Sequence, residues 1–281
     1  MAARDGEALD ARMTSGRREL KYLITPDQAR ALACELNAQL ESHRHRGEGA
    51  NLLPAAHHYV TTIYFDTASR TLFRAARQTA DVHLKLRAKE YYDLHPGLTE
   101  TATDPRELVR YQRILWLELK HKSGTQTGKQ RVGIPKADVP GFFARGAITS
   151  EMVKIQEDAY GAEAHAVLRA VAELCASCGE PLEVDCLVNY RRNAWQDPSA
   201  ELRVTIDTGL AFFAPAPDLW DRDFAVVRPT LGAAIATEAR RVLEIKSHGE
   251  PPAWLARALR ASAIEATSFS KFEASSSAVH G

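Results

Sequence analysis

Apolar and charged side chains alternate in six segments of this chain. In the clearest of them, residues 241–246, Leu243 and Ile245 alternate with Glu244 and Lys246. Because successive side chains of a β-strand point to opposite faces, this pattern predicts a strand with one apolar face and one charged face. The same pattern recurs in five other segments, at residues 17–24, 81–89, 114–122, 129–134 and 201–207.

Two further segments bring the number of predicted strands to eight. Residues 58–66 are rich in Tyr, Val, Thr, Ile and Phe, the residue types that favour strands. Residues 182–195 form a long strand whose alternation is less regular. The turn-rich link at residues 122–128 predicts that the strands on its two sides pair as a hairpin.

Helical patterns lie between and after these strands. Thr25 and Pro26 favour a helix start, and apolar residues follow them at helical spacing. A second helical block covers about residues 136–175. A third helical stretch follows Pro251 and Pro252. The chain therefore combines strands and helices in the α+β class.

Length and composition are consistent with one globular domain. The chain has 281 residues, of which 45% are apolar and 26% charged, and its formal net charge is zero. We predict a disordered lead-in at residues 1–16, a single domain at 17–273 and a flexible tail at 274–281. No segment predicts a membrane span or a secretion signal, and the four cysteines fit thiols in a reducing cytosol, so we expect a cytoplasmic protein. The zero net charge gives no reason to expect nucleic acid as a partner.

Twelve charged side chains share the polar sides of the six alternating strands, and we call this surface the charged face. Eight of them are basic and four acidic, a local excess of four positive charges in a chain of zero net charge. They are Glu19, Lys21, Lys85, Arg87, Glu118, Lys120, Lys129, Arg131, Arg203, Asp207, Glu244 and Lys246. An open antiparallel sheet with one solvated face would explain any single strand. It does not explain why Ser, Thr and Gln are scarce on this face across all six.

A closed barrel is the alternative arrangement, with helices over the apolar side and the charged face turned inward. Like charges crowded in an interior are costly unless something neutralises them. A chain of phosphates would do so, because Arg makes bidentate contacts with phosphate and Lys supplies point charges. The carboxylates would hold a divalent metal, since hard oxygen ligands suit magnesium or manganese.

The chain resembles the triphosphate tunnel metalloenzyme (CYTH-like) superfamily. Within it, the chain is similar to the polyphosphate polymerase domain of the vacuolar transporter chaperone (VTC) complex. The resemblance runs from about Arg17 to Lys271 and rests on eight short motifs in family order. They are Glu19-Leu-Lys21-Tyr22, Tyr64-Phe-Asp-Thr67, Lys85-Leu-Arg87, Glu118-Leu-Lys120 with Lys129 and Arg131, Tyr190-Arg-Arg-Asn-Ala194, Arg203-Val-Thr-Ile-Asp207, Leu243-Glu-Ile-Lys246 and Ser270-Lys-Phe272.

This resemblance implies a fold, an activity and a set of site residues. The fold would be an eight-stranded antiparallel β tunnel, a closed barrel with helices packed outside. The activity would be transfer of the terminal phosphoryl group of ATP to a growing inorganic polyphosphate chain, with Mn²⁺ or Mg²⁺ as cofactor. Nucleoside triphosphate and polyphosphate would then be the partners, without nucleic acid and without a membrane segment.

The site residues implied by the resemblance fall into three groups. The catalytic group is Lys85, Arg87, Arg192, Arg203 and Glu244. The substrate-binding group is Lys21, Lys120, Lys129, Arg131, Lys246 and Lys271. The metal ligands are Glu244 and Glu19. Alternation alone leaves open whether Arg191 or Arg192 faces inward, and the family pattern favours Arg192.

Some alternatives remain open at the level of sequence. The eukaryotic polymerases have a further lysine where this chain has Ser268, which leaves room for water as the phosphoryl acceptor. An inorganic triphosphatase or nucleoside triphosphate phosphohydrolase of the same fold is therefore the first alternative. A non-catalytic polyphosphate-binding module is the second. Asp66 and Asp207 are each either ligands inside the tunnel or residues that cap the end of a strand.

Overall fold

Backbone hydrogen bonds join the strands of this protein into one antiparallel sheet. The structure, a computed structural model, describes residues 17–42, 57–78, 82–92, 113–123, 126–161, 164–220 and 226–281. Its strands are β1 (Arg17–Ile24), β2 (Glu41–Ser42), β3 (His57–Thr67), β4 (Val82–Tyr92), β5 (Ile114–Ser123), β6 (Gln126–Pro135), β7 (Leu182–Gln196), β8 (Leu202–Phe213), β9 (Ala236–Glu238) and β10 (Arg241–His248). Their order is β1-β10-β8-β7-β3-β4-β5-β6, with β2 beside β7 and β9 beside β8.

All eight predicted strands are present. The predicted hairpin consists of β5 and β6, and its register pairs Glu118 with Arg131 and Lys120 with Lys129. The strands β2 and β9 are not predicted, because segments of two and three residues are too short to show alternation. The predicted lead-in at residues 1–16 lies outside the described residues.

Helices follow the strands in several places. They are α1 (Pro26–Gln39), α2 (Thr71–Gln78), α3 (Val139–Arg145), α4 (Ser150–Tyr160), α5 (Ala164–Ser177), α6 (Ala253–Ala261) and α7 (Lys271–His280), with short 3-10 turns at Lys136–Asp138 and Arg228–Thr230. The predicted start of α1 is confirmed, since the Thr25 hydroxyl accepts a hydrogen bond from the Gln28 N–H and the Gln28 side chain accepts one from the Thr25 N–H. None of the helices that the structure describes combines the length and the apolar character required to span a bilayer.

The C-terminus differs from its prediction. Residues 274–281 are predicted as a flexible tail, yet most of them lie in α7, in which Ser275 and Ser276 are buried. The Ser275 hydroxyl donates a hydrogen bond to the Leu187 carbonyl of β7, and the Arg70 guanidinium donates one to the Ser276 hydroxyl. Tertiary contacts therefore hold a serine-rich segment whose intrinsic preference for helix is modest.

The helices bury the apolar side of the sheet in two clusters. Leu32 and Leu36 of α1 and Leu255 of α6 pack against β1, β8 and β10. Phe142 of α3 and Leu168 of α5 belong to the second cluster, over β3 to β6. The apolar side of the alternating strands is therefore the outer side, as the barrel hypothesis requires.

The predicted closed barrel is not confirmed. In the described part of the chain, β1 and β6 end the sheet, and no backbone hydrogen bonds join them. Gln156 of α4 is fully buried beside β6 instead. Its carbonyl oxygen accepts a hydrogen bond from the Gly133 N–H, and its amide group donates one to the Arg131 carbonyl. One side-chain amide thus satisfies backbone groups of β6 as a neighbouring strand would.

Candidate active site

The sheet is rolled so that its charged face is concave. Glu19 on β1 and Lys120 on β5 form an ion pair in which Oε2 and Nζ lie 3.0 Å apart. Five strands separate β1 from β5 in the sheet order. In a flat sheet with the usual strand spacing, β1 and β5 would lie about 29 Å apart. Two side chains cannot span that distance, so the sheet must curve around the charged face.

Three lysines form one row across β4, β5 and β6. Lys85 is the direct cross-strand neighbour of Lys120, and Lys120 is the neighbour of Lys129. Like charges directly opposite each other destabilise a sheet. Carboxylates from distant parts of the chain offset part of this repulsion, since Glu19 contacts Lys120 and Glu273 of α7 lies 3.4 Å from the Nζ of Lys85.

Glu118 lies at the centre of the next row and is buried. Its carboxylate accepts hydrogen bonds from Arg87 at 2.9 Å and from Arg131 at 2.7 and 3.0 Å. The Nζ atoms of Lys129 and Lys89 lie 3.3 and 3.9 Å from the same carboxylate. Although burial raises the pKa of Glu118, these four cations hold that pKa well below its usual range. One carboxylate therefore faces four cations, which leaves an excess of positive charge.

Glu19 on β1 and Glu244 on β10 lie on adjacent strands, and the charge of Glu244 acts on the carboxylate of Glu19. Lys21 Nζ lies 2.8 Å from Glu19, and Lys246 Nζ lies 2.5 Å from Glu244. Although the Glu244 charge and burial raise it, three nearby lysines lower the pKa of Glu19 to about 2. Burial also raises the pKa of Glu244, but the surrounding cations hold it well below its usual range. Both carboxylates are therefore ionised at neutral pH.

Asp207 on β8 is fully buried and binds two basic side chains. Arg192 donates hydrogen bonds of 2.6 and 2.7 Å to its two oxygens, which is the bidentate geometry. Lys271 Nζ lies 2.7 Å from Oδ2. Although burial raises the pKa of Asp207, Arg192 and Lys271 lower it to about 2. Asp207 therefore belongs to the charged face.

Asp66 serves the backbone instead. Its carboxylate accepts hydrogen bonds of 2.8 Å from the N–H groups of Thr67, Leu72 and Phe73. Leu72 and Phe73 lie in the first turn of α2, where N–H groups have no partner within the helix. The two aspartates that the sequence leaves undecided thus have different roles, and Asp66 is a helix cap.

The N-terminus of α7 lies at the charged face. Ser270 is its N-cap, and the Ser270 hydroxyl accepts hydrogen bonds from the Glu273 N–H and from Lys85 Nζ. Lys271, the first residue of the helix, contacts Asp207. This helix therefore contributes a cation, a hydroxyl and a carboxylate to a face otherwise built by strands.

The rest of α7 covers an apolar part of the concave side. The ring of Phe272 lies 5.1 Å from that of Tyr64 and 6.0 Å from that of Phe73. Tyr64 is the cross-strand neighbour of Arg87, so its side chain shares the concave side with the charged residues. Val242, two residues before Glu244 on β10, lies in the same apolar cluster. The concave side is therefore charged over one part and apolar, beneath α7, over another.

All predicted site residues lie on the charged face. These residues are Glu19, Lys21, Lys85, Arg87, Lys120, Lys129, Arg131, Arg192, Arg203, Glu244, Lys246 and Lys271. Arg192 contacts Asp207, whereas the exposed Arg191 donates a hydrogen bond to Thr208 on the opposite face.

Four residues of this face are absent from the predicted set. Lys89 and Glu118 belong to the alternating patterns, so those patterns identify their orientation but not their contacts. Asp207 is left undecided by the sequence, and Glu273 lies in a segment predicted as tail. Their importance depends on which side chains meet across the curved sheet, and no local signal contains that information.

Burial and the crowding of positive charge lower the pKa values of several lysines on this face. Burial, as the main cause, lowers the pKa values of Lys85, Lys120 and Lys271. The pKa of Lys89 lies well below its usual value because of burial and the neighbouring Arg87 charge. A group whose charged form is disfavoured gains from a nearby anion. The charged face is therefore suited to bind a polyanion.

Glu19 and Glu244 fit a divalent cation only together with other ligands. Mg²⁺ is commonly held by one or two carboxylates and by substrate phosphates. In the part of the chain that the structure describes, no group of three or more His, Cys, Asp or Glu residues is placed to hold a metal. The ionised pair matches the protein share of such a site, and phosphate oxygens would supply the rest.

The sequence of this chain matches one known protein family. A family model described as the VTC domain matches residues 16–280. The chain belongs to the VTC domain family. The match covers every described strand and helix of this VTC domain, including α7. No curated protein sequence matches the chain.

Several solved structures are similar to this VTC domain at low sequence identity. A Bacillus halodurans protein proposed to be an adenylate cyclase is 11% identical, with a TM-score of 0.48, over 91% of this chain and 96% of that one. A Vibrio parahaemolyticus protein with the same proposed activity is 13% identical, with a TM-score of 0.38, over 92% and 95% of the two chains.

Proposed function

We propose that this VTC domain is a metal-dependent phosphotransferase that binds ATP along its charged face and transfers the terminal phosphoryl group to a polyphosphate chain. The row of Lys85, Lys120 and Lys129 carries the proposal, because three adjacent lysines on a concave surface are best stabilised by a polyanion. With Lys89, Arg192 of β7 and the two charged side chains at the start of α7 included, the described charged face has eleven basic and five acidic side chains, an excess of six positive charges. The basic ones are Lys21, Lys85, Arg87, Lys89, Lys120, Lys129, Arg131, Arg192, Arg203, Lys246 and Lys271, and the acidic ones are Glu19, Glu118, Asp207, Glu244 and Glu273.

In this mechanism, Arg87 and Arg192 stabilise the negative charge of the transferring phosphoryl group. Each guanidinium is held by a buried carboxylate, Glu118 or Asp207, so its orientation is fixed before substrate binds. Fixed donors are effective catalysts because they need no reorganisation during the reaction. Phosphoryl transfer depends mainly on such positioning and charge stabilisation.

The remaining predicted residues have supporting roles. Lys85 and Arg203 complete the contacts to the transferring group, and the rest of the phosphate chain is bound by Lys21, Lys120, Lys129, Arg131, Lys246 and Lys271. Glu244, assisted by Glu19, would hold Mg²⁺ or Mn²⁺, which neutralises phosphate charge when bound. A terminal phosphate oxygen is already an anionic nucleophile, so no general base is required. The basic side chains reduce the repulsion between the two anionic substrates, ATP and the polyphosphate chain.

A triphosphatase is the second candidate, and the position of α7 favours it. This helix covers the apolar part of the concave side, where Phe272 packs on Tyr64. A polyphosphate chain therefore cannot pass through the apolar part beneath α7. It would have to grow and leave along the charged part of the concave side. A short triphosphate with water as acceptor has no such requirement.

Product analysis with ATP and Mn²⁺ tests the proposal. A ladder of polyphosphate on a gel is the expected result, whereas orthophosphate release without a ladder would identify the triphosphatase. Glu244→Gln should lower either activity by about two orders of magnitude or more, as is typical when a metal ligand is lost. The matched control is Glu238→Gln, which changes a carboxylate paired with Arg240 outside the charged face. If the wild-type protein binds polyphosphate without any turnover, it is a binding module.

Binding of tripolyphosphate tests the charged face separately from catalysis. Lys85→Glu places a negative charge in the lysine row and should abolish saturable binding in calorimetry. Lys154→Glu makes the same charge change at an exposed position of α4 and should leave affinity within about twofold. Equal affinities for the two variants would show that the lysine row is a solvated surface without this function.

A further inference from the structure

A groove on the outer side of the sheet contains a second group of cations. It is a cavity of about 400 Å³ between α1 and strands β7, β8 and β10. Arg191, Asn193 and Trp195 line it, and they alternate along β7 with residues of the concave side such as Arg192. The groove and the charged face therefore lie on opposite sides of the same strands.

One end of the groove is cationic. Arg191 on β7 is the cross-strand partner of Thr208, and Arg241 precedes Val242, the partner of Asp207. The two arginines therefore flank Thr208 across three adjacent strands. Arg191 donates a hydrogen bond of 3.2 Å to the Thr208 hydroxyl and also bonds the side chain of Tyr59, its partner on β3. Arg241 donates a hydrogen bond of 2.8 Å to the Ala239 carbonyl.

These bonds leave capacity for a ligand. A guanidinium carries five N–H donors in a fixed planar arrangement that matches the oxygens of a phosphate. Of the described residues that line the groove, none has a carboxylate. Arg30 of α1 also lines it, but its charge is partly offset by an exposed ion pair with Asp27. Arg191 and Arg241 are therefore the principal cations.

The other end of the groove is neutral and able to form hydrogen bonds. Trp195 donates a hydrogen bond of 2.8 Å to Asn37 Oδ1, which fixes the side-chain amide of Asn37 at the groove. Ser42 is the cross-strand partner of Trp195 at this end, and Asn193 lies between Arg191 and Trp195 along β7. On the helix side, Ala29 and Ala33 have small side chains and leave the groove open.

We propose that this groove binds a phosphorylated metabolite of mononucleotide size. Its phosphate lies between Arg191 and Arg241, and its neutral body lies along Ala33 toward Asn37 and Asn193. Three observations support this: two guanidiniums that flank Thr208 without a lining carboxylate, the Asn193 and Asn37 amides along the groove, and a volume within the range of small-molecule pockets. Binding in this groove does not depend on the reaction at the charged face, which lies on the opposite side of the sheet.

Calorimetry with AMP as the probe tests this proposal on the full chain. AMP should bind saturably, and adenosine and inorganic phosphate should each bind at least about tenfold more weakly, because each lacks half of the recognised groups. Arg191→Gln should weaken AMP binding about tenfold or more, since it removes a charge-assisted contact while keeping a similar length. Ala33→Leu fills the groove without changing any charge and should also weaken binding.

Lys85→Glu distinguishes the groove from the charged face. AMP affinity should be unchanged in this variant, while tripolyphosphate binding is lost. The proposal is overturned if AMP does not bind the wild-type chain, or if AMP affinity survives both Arg191→Gln and Ala33→Leu. It is equally overturned if Lys85→Glu abolishes AMP binding, because the probe would then occupy the charged face. Thermal unfolding of each variant confirms that a loss of binding is not a loss of fold.

Discussion

Lys271 Nζ lies 2.7 Å from Asp207 Oδ2, which joins the first residue of the C-terminal helix to the middle of the sheet. The same carboxylate holds Arg192 through two hydrogen bonds. The ammonium of Lys271 also lies 4.9 Å from the centre of the Tyr190 ring. A single buried aspartate therefore orients two candidate phosphate-binding side chains that come from different elements.

Asp207→Asn should lower the free energy of unfolding by about 3–5 kcal/mol, because it leaves Arg192 and Lys271 buried without their counter-charge. Urea unfolding followed by circular dichroism measures this change. The same substitution type in a partly exposed pair, Glu238→Gln beside the exposed Arg240, should cost less than about 1 kcal/mol. Equal costs for the two variants would mean that the buried pair contributes no more than a surface pair.

Stability should also fall in acid. The pKa values of Asp207 and Glu19 are about 2 in the folded protein, compared with ordinary values of 3.8 and 4.5. The unfolded chain therefore binds protons more readily, so the stability that these groups contribute is complete above about pH 5 and is lost as the pH falls toward 2. Urea unfolding at pH 6, 5, 4 and 3 should show this decline. The decline should be shallower in Asp207→Asn, and parallel curves would contradict the assignment to Asp207.

Much of the fold is predictable from the sequence because alternation is a local property. The segment containing Glu244 and Lys246 shows which side chains share a face, and this holds for all six alternating strands. The orientation of Arg192 requires the family pattern in addition, because β7 has a register shift near Asn189 and Arg191 that simple alternation does not reveal.

What could not be predicted depends on contacts between distant residues. Asp66 and Asp207 look alike in the sequence, and only their partners, backbone N–H groups in one case and two cations in the other, distinguish them. The helix α7 is stabilised by burial of Phe272 and Ser275 and not by helix propensity. The strand patterns likewise do not determine whether backbone hydrogen bonds join the two ends of the sheet.

As the pH rises, the affinity for tripolyphosphate should begin to fall at a lower pH than it would if the lysines had ordinary pKa values. The pKa values of Lys85, Lys120 and Lys271 are lowered from 10.5, mainly by burial, so these side chains lose their charge earlier as the pH rises. Binding needs the charged form, so the affinity should begin to decline at a lower pH than it would for lysines with the ordinary pKa of 10.5. Calorimetry from pH 7 to pH 10 measures the decline. It should be weaker in Lys85→Arg, because arginine stays charged throughout this range.

At the edge of β6, two backbone groups are hydrogen-bonded by one side chain of α4, Gln156. Gln156→Leu keeps a side chain of similar size but removes the amide that bonds the Gly133 N–H and the Arg131 carbonyl. Leaving these buried groups without that partner should lower the free energy of unfolding by about 1–3 kcal/mol. Gln39→Leu, at an exposed position near the end of α1, is the matched control and should change stability by less than about 0.5 kcal/mol.

Hydrogen exchange gives a local readout of the same change. The Gly133 amide should exchange faster in Gln156→Leu, while amides between β5 and β6 keep their protection. Unchanged protection at Gly133 would mean that another group, such as the backbone of β1, bonds this edge in solution. The ends of the sheet would then meet through backbone hydrogen bonds, whereas faster exchange supports an edge that α4 satisfies through a single side chain.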